Sequence, residues 1–497
     1  MQYIKHANTA IAMTNENKAL FCPLEEQGIA MPKPSRQSSA DQAFLHALWQ
    51  AIDGDEQCLS ALRIHGAGNL PSLFPVTDLA CASIGAAALA VAQWVELHTD
   101  QMPTVHVDRR LASLWIQFSL RPQGWVLPPA WDPVAGDYLA ADGWIRLHTN
   151  AVHHRTAALS VLNAAPEKES VAQAVARWRA DELEAAIVAQ GGCAAAMRSL
   201  SQWADHPQGR AVAGEPLAHW TFHEADTGAN DTEDDREFDP LRPLAGIRVL
   251  DLTRVLAGPV ATRFLAGWGA NVLRIDPPEW DEPGIVPEVT PGKRCARLDL
   301  RKPQDSEYLR ALLRQADIVV HGYRPDALAR LGFDEESRRV NPALVDVCLN
   351  AYGWSGPWQG RRGFDSLMQM SCGIADAGMQ AGQRDRPTPL PAQALDHATG
   401  YLMAAAAVHG LTRRFTTGAG CRVRTSLASM ARLLTDAPRQ APDADALRPE
   451  TPEDLAEELE MTHWGQARRL KPAARIEGLS YHWNRPAGPL GSDTATW

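Results

Sequence analysis

The sequence predicts an α/β protein built around a Rossmann-like parallel sheet. The main observation is a β-α-β unit, because Val249–Leu252 is a short apolar run typical of a buried strand and Asn271–Ile275 is a second one. Between them, Pro259 suits the first turn of a helix and Gly269 can end it. Parallel strands joined in this way imply a right-handed crossover. The loop after the first strand is where such sheets bind ligands.

A second observation comes from alanine-rich segments in both halves of the chain. Residues 80–94 predict a strong helix, followed by a strand-like Val-His-Val and another helix. Superposing Gly85 on Gly400 aligns this segment with a later one of the same pattern and sets Cys81 opposite Asp396. We therefore expect a diverged repeat whose copies are not chemically interchangeable. A chance likeness of two alanine-rich helices is the alternative.

Length and composition exclude several classes of protein. The chain has 497 residues, 45% apolar and 22% charged, which is typical of a soluble globular protein with two or three domains. No uncharged apolar run approaches the ~18 residues of a membrane helix. The first residues lack a compact apolar segment with a cleavage site. We expect a cytoplasmic protein without a membrane partner.

The cysteines indicate buried thiols in a reducing compartment. They are scattered without close pairs, so neither zinc spacing nor a disulfide framework is present, and we expect no metal. The eight are Cys22, Cys58, Cys81, Cys193, Cys295, Cys348, Cys372 and Cys421.

The negative charge is concentrated in one short stretch. Residues 221–240 hold eight acidic residues and Arg236, a net of −7 out of −11 for the whole chain. No long basic block is present, so a nucleic-acid partner is not expected. We expect residues 221–240 to be an acidic linker.

Two patterns suggest where chemistry takes place. Asp396 precedes an alanine-rich helix, whose dipole favours an ionised carboxylate, although capping that helix is the alternative. The pattern G-x-G-x-x-G is missing after the first strand, so nicotinamide or flavin chemistry is not supported. A basic cluster suits phosphate groups, or is a solvated edge, and comprises Lys293, Arg294, Arg297, Arg301 and Lys302.

The exact amino-acid sequence of the second half is more informative than its pattern of apolar and polar residues. The segments LAGIRVLDLTRVLAGPVATRFLAGWGANVLRID, GKRCARLDLRKP, ADIVVHGYRPDALARLGFD and NPALVDVCLNAYGWSGPWQGRRGFDSLMQ follow one another. They closely resemble the class III CoA-transferases, a family that includes formyl-CoA transferase, carnitine CoA-transferase and, as a branch, α-methylacyl-CoA racemase. The resemblance runs from Leu244 to about Leu433. It implies CoA transfer from an acyl-CoA donor to a small carboxylic acid, without a permanently bound cofactor, in a homodimer.

The resemblance also implies a role for individual residues. Asp396 would be the nucleophile that forms a covalent aspartyl intermediate. Phe364 stands where the racemases have a proton-transferring His, which favours a transferase, and Asp365 would orient the substrate loop or stabilise a turn. His153 and His154 are expected to be surface groups. Eight residues would contact CoA: Val255, Leu256, Ala257, Leu298, Arg301, Gly322, Tyr323 and Arg330.

The domain order departs from the usual one of the family. The segment DPVAGDYLAADGWIRLHTNAVHHRTAALSVLN resembles the family's smaller α+β domain but precedes the Rossmann-like domain. A racemase or isomerase of this fold, and a CoA-binding protein without catalysis, are the alternatives. The predicted divisions are an N-terminal extension without assigned function at 1–66, a small-domain-like region at 67–220, the acidic linker at 221–240, the Rossmann-like domain at 241–433, and a linker and return segment at 434–497.

Overall fold

A computed structural model describes residues 39–223, 237–323, 325–333, 341–440 and 444–497. Most of the predicted N-terminal extension and most of the predicted acidic linker lie outside these residues. The first described helix is Ser39–Ala51, within the predicted N-terminal extension.

The predicted parallel sheet is present and has seven strands. Five consecutive pairings are parallel and the last is antiparallel. In spatial order the strands are Lys293–Arg297, Asn271–Asp276, Arg248–Leu252, Ile318–His321, Val345–Asn350, Cys421–Ser426 and His219–Phe222. Arg248–Leu252, the first of the parallel strands along the chain, lies inside this order, and the next two strands extend to one side of it, as in a doubly wound fold. The Rossmann-like prediction is therefore confirmed.

Helices cover both faces of this sheet. The predicted crossover helix runs from Ala257 to Gly267 and is fully buried. The other α-helices among the described residues are Ser39–Ala51, Val76–Thr99, Arg109–Trp115, Val152–Leu162, Lys168–Val175, Ala180–Ala189, Leu200–Asp205, Pro207–Ala213, Val286–Val289, Pro303–Gln315, Pro325–Arg330, Asp365–Ser371, Ile374–Ala381, Ala394–Thr417 and Leu427–Asp436.

Two 24-residue helices form the centre of the molecule. The first core helix, Val76–Thr99, and the second core helix, Ala394–Thr417, pack against each other. The first is long and apolar enough to span a membrane by length and composition, with a mean hydropathy of 1.5, but 94% of that window is buried inside the protein. This differs from the expectation that no such segment exists, because the mean hydropathy stays high although Asp78 and a few polar residues interrupt the apolar residues.

The ends of the core helices fix the register of the repeat. Pro75 and Gln393 precede them with nearly the same backbone angles, φ −75° and ψ 64° against φ −80° and ψ 63°. Both helices end at a residue in the left-handed conformation, Asp100 and Gly418. Each is followed by a strand and then a short helix.

This register corrects the alignment expected from the sequence. The third residue of each core helix is an aspartate, so Asp78, and not Cys81, corresponds to Asp396. The match continues downstream, where Asp108 and Ser426 cap the two short helices by accepting from the N–H three residues later. Shifting the alignment of two alanine-rich helices by about one turn leaves the match of their apolar residues unchanged. The sequence alone therefore misplaces the register of the repeat.

The region predicted as one small domain contains two structural parts. Residues up to Trp115 belong to the repeat and share the main apolar core. Beyond them, three antiparallel strands, Gly136–Leu139, Trp144–Leu147 and Ala194–Ala196, carry helices around a separate apolar core. This second part is an α+β unit, as the resemblance implies.

The C-terminal segment returns to the first half of the chain. Ala474–Ile476 pairs with Val105–Asp108, which also pairs with Leu62–His65. Gly465–Arg469 lies between Glu460–Thr462 and Leu120–Pro122 in another small sheet. The two halves are therefore joined by strand pairing as well as by the core helices.

Candidate active site

A cavity of about 370 Å³ lies at the carboxyl ends of the parallel strands. It is bounded by residues that follow Arg248–Leu252 and Ile318–His321, the two strands between which the strand order reverses. Open α/β sheets bind ligands at this switch point. Seven of the predicted site residues line the cavity: Val255, Leu256, Ala257, Gly322, Tyr323, Phe364 and Asp396.

The loop between the first strand and its helix is held in an unusual conformation. Val255 has φ +65°, which is unfavourable for a β-branched residue, and its N–H donates to Glu282 at 2.9 Å. A side chain on Gly258 would meet Thr253 at 2.3 Å, so only glycine fits. The loop is therefore fixed by its neighbours beside the cavity.

Close packing places Asp396 next to this loop. A β-carbon on Gly400 would meet the carbonyl oxygen of Ala257 at 2.4 Å. Glycine thus lets the second core helix approach the crossover helix until their backbones nearly touch. This accounts for an Asp-x-x-x-Gly spacing, because Asp396 lies one turn before the contact and so reaches the cavity.

Asp396 does not cap its helix. It is the third residue of the second core helix, whose preceding Gln393 makes no side-chain capping bond. Asp365 supplies the cap from another helix by accepting the backbone N–H groups of Asp396, at 3.0 Å, and of Leu395. The Asp396 carboxylate itself has no hydrogen-bond or ion-pair partner among the described residues, and the residue is 7% exposed at the cavity.

The pKa of Asp396 is well above its usual range. Burial is the main cause and the negative charge of Asp365 adds to it. Burial also raises the pKa of Asp365 to about 6, although hydrogen bonds from Gln369 and the helix N–H groups oppose this. The helix dipole favours the ionised form of Asp396, but burial and the neighbouring carboxylate act in the opposite direction and raise its pKa.

Phe364 forms part of the cavity wall. Its ring stacks on His148 with centroids 3.7 Å apart and an angle of 7° between the planes. His148 is buried behind it, and burial lowers the pKa of that imidazole to about 3. His397, which follows the predicted nucleophile, lines a neighbouring cavity instead of this one.

Two histidines that were expected at the surface line the cavity. His153 and His154 begin the helix Val152–Leu162 of the α+β unit, so the cavity is built from both halves of the chain. His153 is exposed, as expected, whereas His154 is only 3% exposed. Adjacent histidines on a helix carry no sequence signal that separates this placement from a solvated one, because the placement depends on how the two halves pack.

The cations around the cavity differ from those that the sequence suggested. Lys293 is buried in an ion pair with Asp251 at 3.0 Å, so it is not part of a solvated cluster. Arg301 is 67% exposed and pairs with Asp299. Leu298, Arg301 and Arg330 are not among the lining residues, and their contact with CoA stays a prediction.

Arg254 is a cation that does line the cavity. Its guanidinium lies 4.9 Å from the ring centre of Trp280 and 5.4 Å from that of Tyr323. It donates to the Tyr323 hydroxyl at 3.1 Å and has no carboxylate partner within the described part of the chain. Such a cation is available for an anionic group of a ligand.

In the first half, an arginine occupies the position that corresponds to the cavity wall beside Asp396. Arg109 corresponds to Leu427, which lines the cavity beside Asp396. The Arg109 guanidinium lies 2.6 Å from Asp78 and 2.9 Å from Asp41. The aspartate that matches Asp396 is therefore already paired, and the first copy has no corresponding open carboxylate.

One group of side chains could in principle hold a metal ion. Ligand atoms of His321, Asp346 and Cys348 lie within 4.8 Å of one another. Asp346 already pairs with His321 at 3.0 Å and with Arg422 at 3.1 Å. Burial opposes protonation, yet Cys348 and Asp346 raise the pKa of His321 to about 9. A protonated His321 cannot ligate a metal, so this group fits an ion-pair network better.

Residues 244–454 match the protein family described as CoA-transferase family III. This match confirms the resemblance of the second half to the class III CoA-transferases over residues 244–454.

Curated relatives carry related names. An acetyl-coenzyme A transferase of Hypoxylon pulicicidum is 35% identical over 38% of this chain and 33% of its own length. An acyl-CoA transferase of Gibberella moniliformis is 27% identical over 75% of this chain and 73% of its own length, and its 423 aligned residues extend beyond the family region. The mouse succinyl-CoA:glutarate CoA-transferase is 30% identical over 38% of this chain and 47% of its own length.

A solved structure is also similar in sequence. The crystal structure of the hypothetical protein Rv3272 from Mycobacterium tuberculosis is 30% identical to this chain. The alignment covers 40% of this chain and 58% of that one, with a TM-score of 0.35.

Proposed function

We propose that this protein transfers CoA from an acyl-CoA donor to a carboxylic acid acceptor, with Asp396 as the nucleophile. The observation that carries the proposal is the Asp396 carboxylate, which lies in a cavity at the switch point of the sheet and has no partner there. An essential nucleophile must be both reachable and free, and the capping role that would explain Asp396 otherwise belongs to Asp365.

The reaction needs no further reagent. An Asp396 oxygen attacks the thioester carbonyl carbon, the carbon–sulfur bond breaks, and a mixed anhydride and CoA thiolate form. The thiolate then attacks the aspartyl carbonyl, which releases the donor acid and leaves an aspartyl–CoA thioester. The acceptor carboxylate attacks that thioester to give a second anhydride, and the thiolate finally takes the new acyl group. Each step exchanges one bond to carbonyl carbon for another, so no net proton or electron is needed.

The raised pKa of Asp396 fits this sequence of steps. Burial disfavours the negative charge of a free carboxylate, and attack on the thioester passes that charge to sulfur. A neutral anhydride or thioester then occupies the site. Burial thus makes the ionised carboxylate reactive, provided that the pH is high enough to ionise it.

Several companion expectations stay proposals. Val255, Leu256, Ala257, Gly322 and Tyr323 would contact CoA, as the resemblance implies, and their position in the cavity supports this. We also propose a homodimer in the cytoplasm, which sedimentation of the purified chain and fractionation of its source cells would test.

The experiment is an exchange assay with defined partners. Purified protein is incubated with acetyl-CoA, succinyl-CoA or formyl-CoA and a panel of free acids, and new acyl-CoA is detected by mass. We expect transfer for at least one pair, and a loss of several powers of ten in Asp396→Asn. Binding of CoA without transfer in any pair would contradict the proposal and favour a CoA-binding protein without catalysis.

A further inference from the structure

His154 is a buried polar side chain without a partner inside the cavity that contains Asp396. It is 3% exposed, and neither ring nitrogen has a hydrogen-bond partner in the described parts of the chain. Native proteins satisfy nearly all of their buried polar atoms, and an exception calls for an explanation. An apolar side chain of similar size would fill the same space without this cost, so packing alone does not account for a histidine here.

The surroundings of His154 keep its imidazole neutral. Burial lowers its pKa to about 3, and the neighbouring His153 and Arg362 act in the same direction. A neutral imidazole carries one N–H donor. It can therefore donate a hydrogen bond without placing a cation in the cavity that contains Asp396, where a cation could trap the carboxylate in an ion pair.

Packing also limits how the ring can move. Its centroid lies 4.1 Å from that of His153 and 5.9 Å from that of Phe364, which it meets at 70°. Phe364 is in turn stacked on His148. A half-turn about the Cβ–Cγ bond exchanges nitrogen and carbon positions within the same space. A ring nitrogen can thus be offered to a ligand without rebuilding the wall.

We propose that His154 is a further catalytic residue, which donates a hydrogen bond to the acyl carbonyl oxygen of the substrate while Asp396 attacks the carbonyl carbon. This inference rests on the proposed CoA transfer. As the Asp396 oxygen bonds to carbon, the carbonyl electron pair moves onto oxygen, and the N–H of His154 stabilises that oxyanion. The pair returns when the carbon–sulfur bond breaks, and the proton stays on the imidazole throughout. The same donor serves each later tetrahedral intermediate.

The test compares His154→Phe with the wild-type protein, using the acyl-CoA and acid pair that the wild type exchanges best. Loss of one oxyanion donor lowers kcat by about 10²- to 10³-fold. We expect a loss of this size, with KM for the acyl-CoA changed only a few-fold, because other residues of the cavity are proposed to contact CoA. His154→Gln, which keeps an N–H donor, is expected to recover part of the loss.

Stability and a matched control separate this role from a structural one. Removing nitrogens that have no partner does not by itself lower the melting temperature, so a loss of kcat that accompanies a lowered melting temperature in both His154→Phe and His154→Gln would overturn the inference. His409→Phe is the control, because His409 is also largely buried with an unpartnered Nδ1 but lies outside the cavity. We expect His409→Phe to keep wild-type kcat.

Other outcomes distinguish this inference from the function on which it rests. An active wild type together with wild-type kcat in His154→Phe would remove His154 from catalysis and leave the transfer proposal standing. No transfer by the wild type would instead overturn the function itself. In deuterated water, exchange at the α-carbon of a 2-methylacyl-CoA that depends on His154 would show a proton-transferring base, and would overturn the assignment as a donor.

Discussion

The Oδ2 atom of Asp365 accepts a hydrogen bond from the backbone N–H of Asp396 at 3.0 Å. One aspartate thereby caps the helix on which the other is carried, and the two carboxylates are close enough for the charge of Asp365 to raise the pKa of Asp396. Because Asp365 supplies the cap, the Asp396 side chain is free to react with a substrate. It also ties the pH at which Asp396 ionises to its neighbour.

The first prediction is a shifted pH profile for Asp365→Asn. The change removes a negative charge and keeps an oxygen that can accept the helix N–H. Because Asp365 raises the pKa of Asp396, its removal lowers that pKa, and the acid limb of the kcat profile moves to lower pH. Asp55→Asn is the control, since Asp55 caps a distant helical turn in a similar way. An acid limb in the wild-type position would show that the two carboxylates do not interact.

A second prediction concerns the cation at the cavity. Arg254→Ala is expected to weaken CoA binding by about 1–3 kcal/mol, the usual size of a charge-assisted hydrogen bond. Arg301→Ala should change it less, because Arg301 is exposed and pairs with Asp299. Calorimetric titration with CoA measures both variants. A larger loss for Arg301 than for Arg254 would show that CoA follows the basic cluster and not the Arg254 side of the cavity.

A third prediction concerns Arg109, which occupies the position in the first half that corresponds to Leu427. Arg109→Met leaves Asp41 and Asp78 buried without their counter-ion, so unfolding in urea should require about 3–5 kcal/mol less. Changing both aspartates to Asn in the same protein should restore much of this loss. Arg179→Met, which breaks an exposed ion pair, serves as the control. Equal stability of the two arginine variants would mean that the Arg109 cluster is not a structural tie.

The fourth prediction is that residues 241–497 alone are insoluble or inactive. This fragment lacks the first core helix, the edge strand His219–Phe222 and the histidines that line the cavity. The exposed apolar face of the second core helix would promote aggregation. Adding residues 1–240 as a separate chain should restore part of the activity. Sedimentation and the exchange assay check this, and an active, soluble fragment dimer would contradict it.

Much of the second half could be predicted from local pattern. The strand predicted at 249–252 is Arg248–Leu252, and the helix after it begins at Ala257 and ends at Gly267. The formation of a short apolar strand and the ends of a helix at Pro or Gly depend on only a few neighbouring residues. They can therefore be predicted from local sequence. Asp396 could also be singled out, because it precedes an alanine-rich helix and matches the nucleophile of the family that the second half resembles.

The remaining features depend on contacts between distant parts of the chain. His154 reaches the cavity only because the α+β unit packs against the second half. Lys293 looked like a phosphate-binding cation, yet its strand sets it beside Asp251 in the interior. The capping of the second core helix by Asp365 joins residues 31 positions apart. Sequence pattern describes what each residue can do, and only the folded chain decides which of these possibilities is used.

The tandem arrangement gives this chain a freedom that identical subunits do not have. In a symmetric assembly of identical subunits, every substitution appears at each copy of a site. A substitution that stabilises the fold but removes activity would therefore inactivate every copy. Here Arg109 and Leu427 occupy matching positions with opposite consequences, and a single gene encodes both. One copy of the repeat can therefore stabilise the fold while the other carries the reaction. Each chain would then bind one CoA, although its two repeat copies suggest two sites.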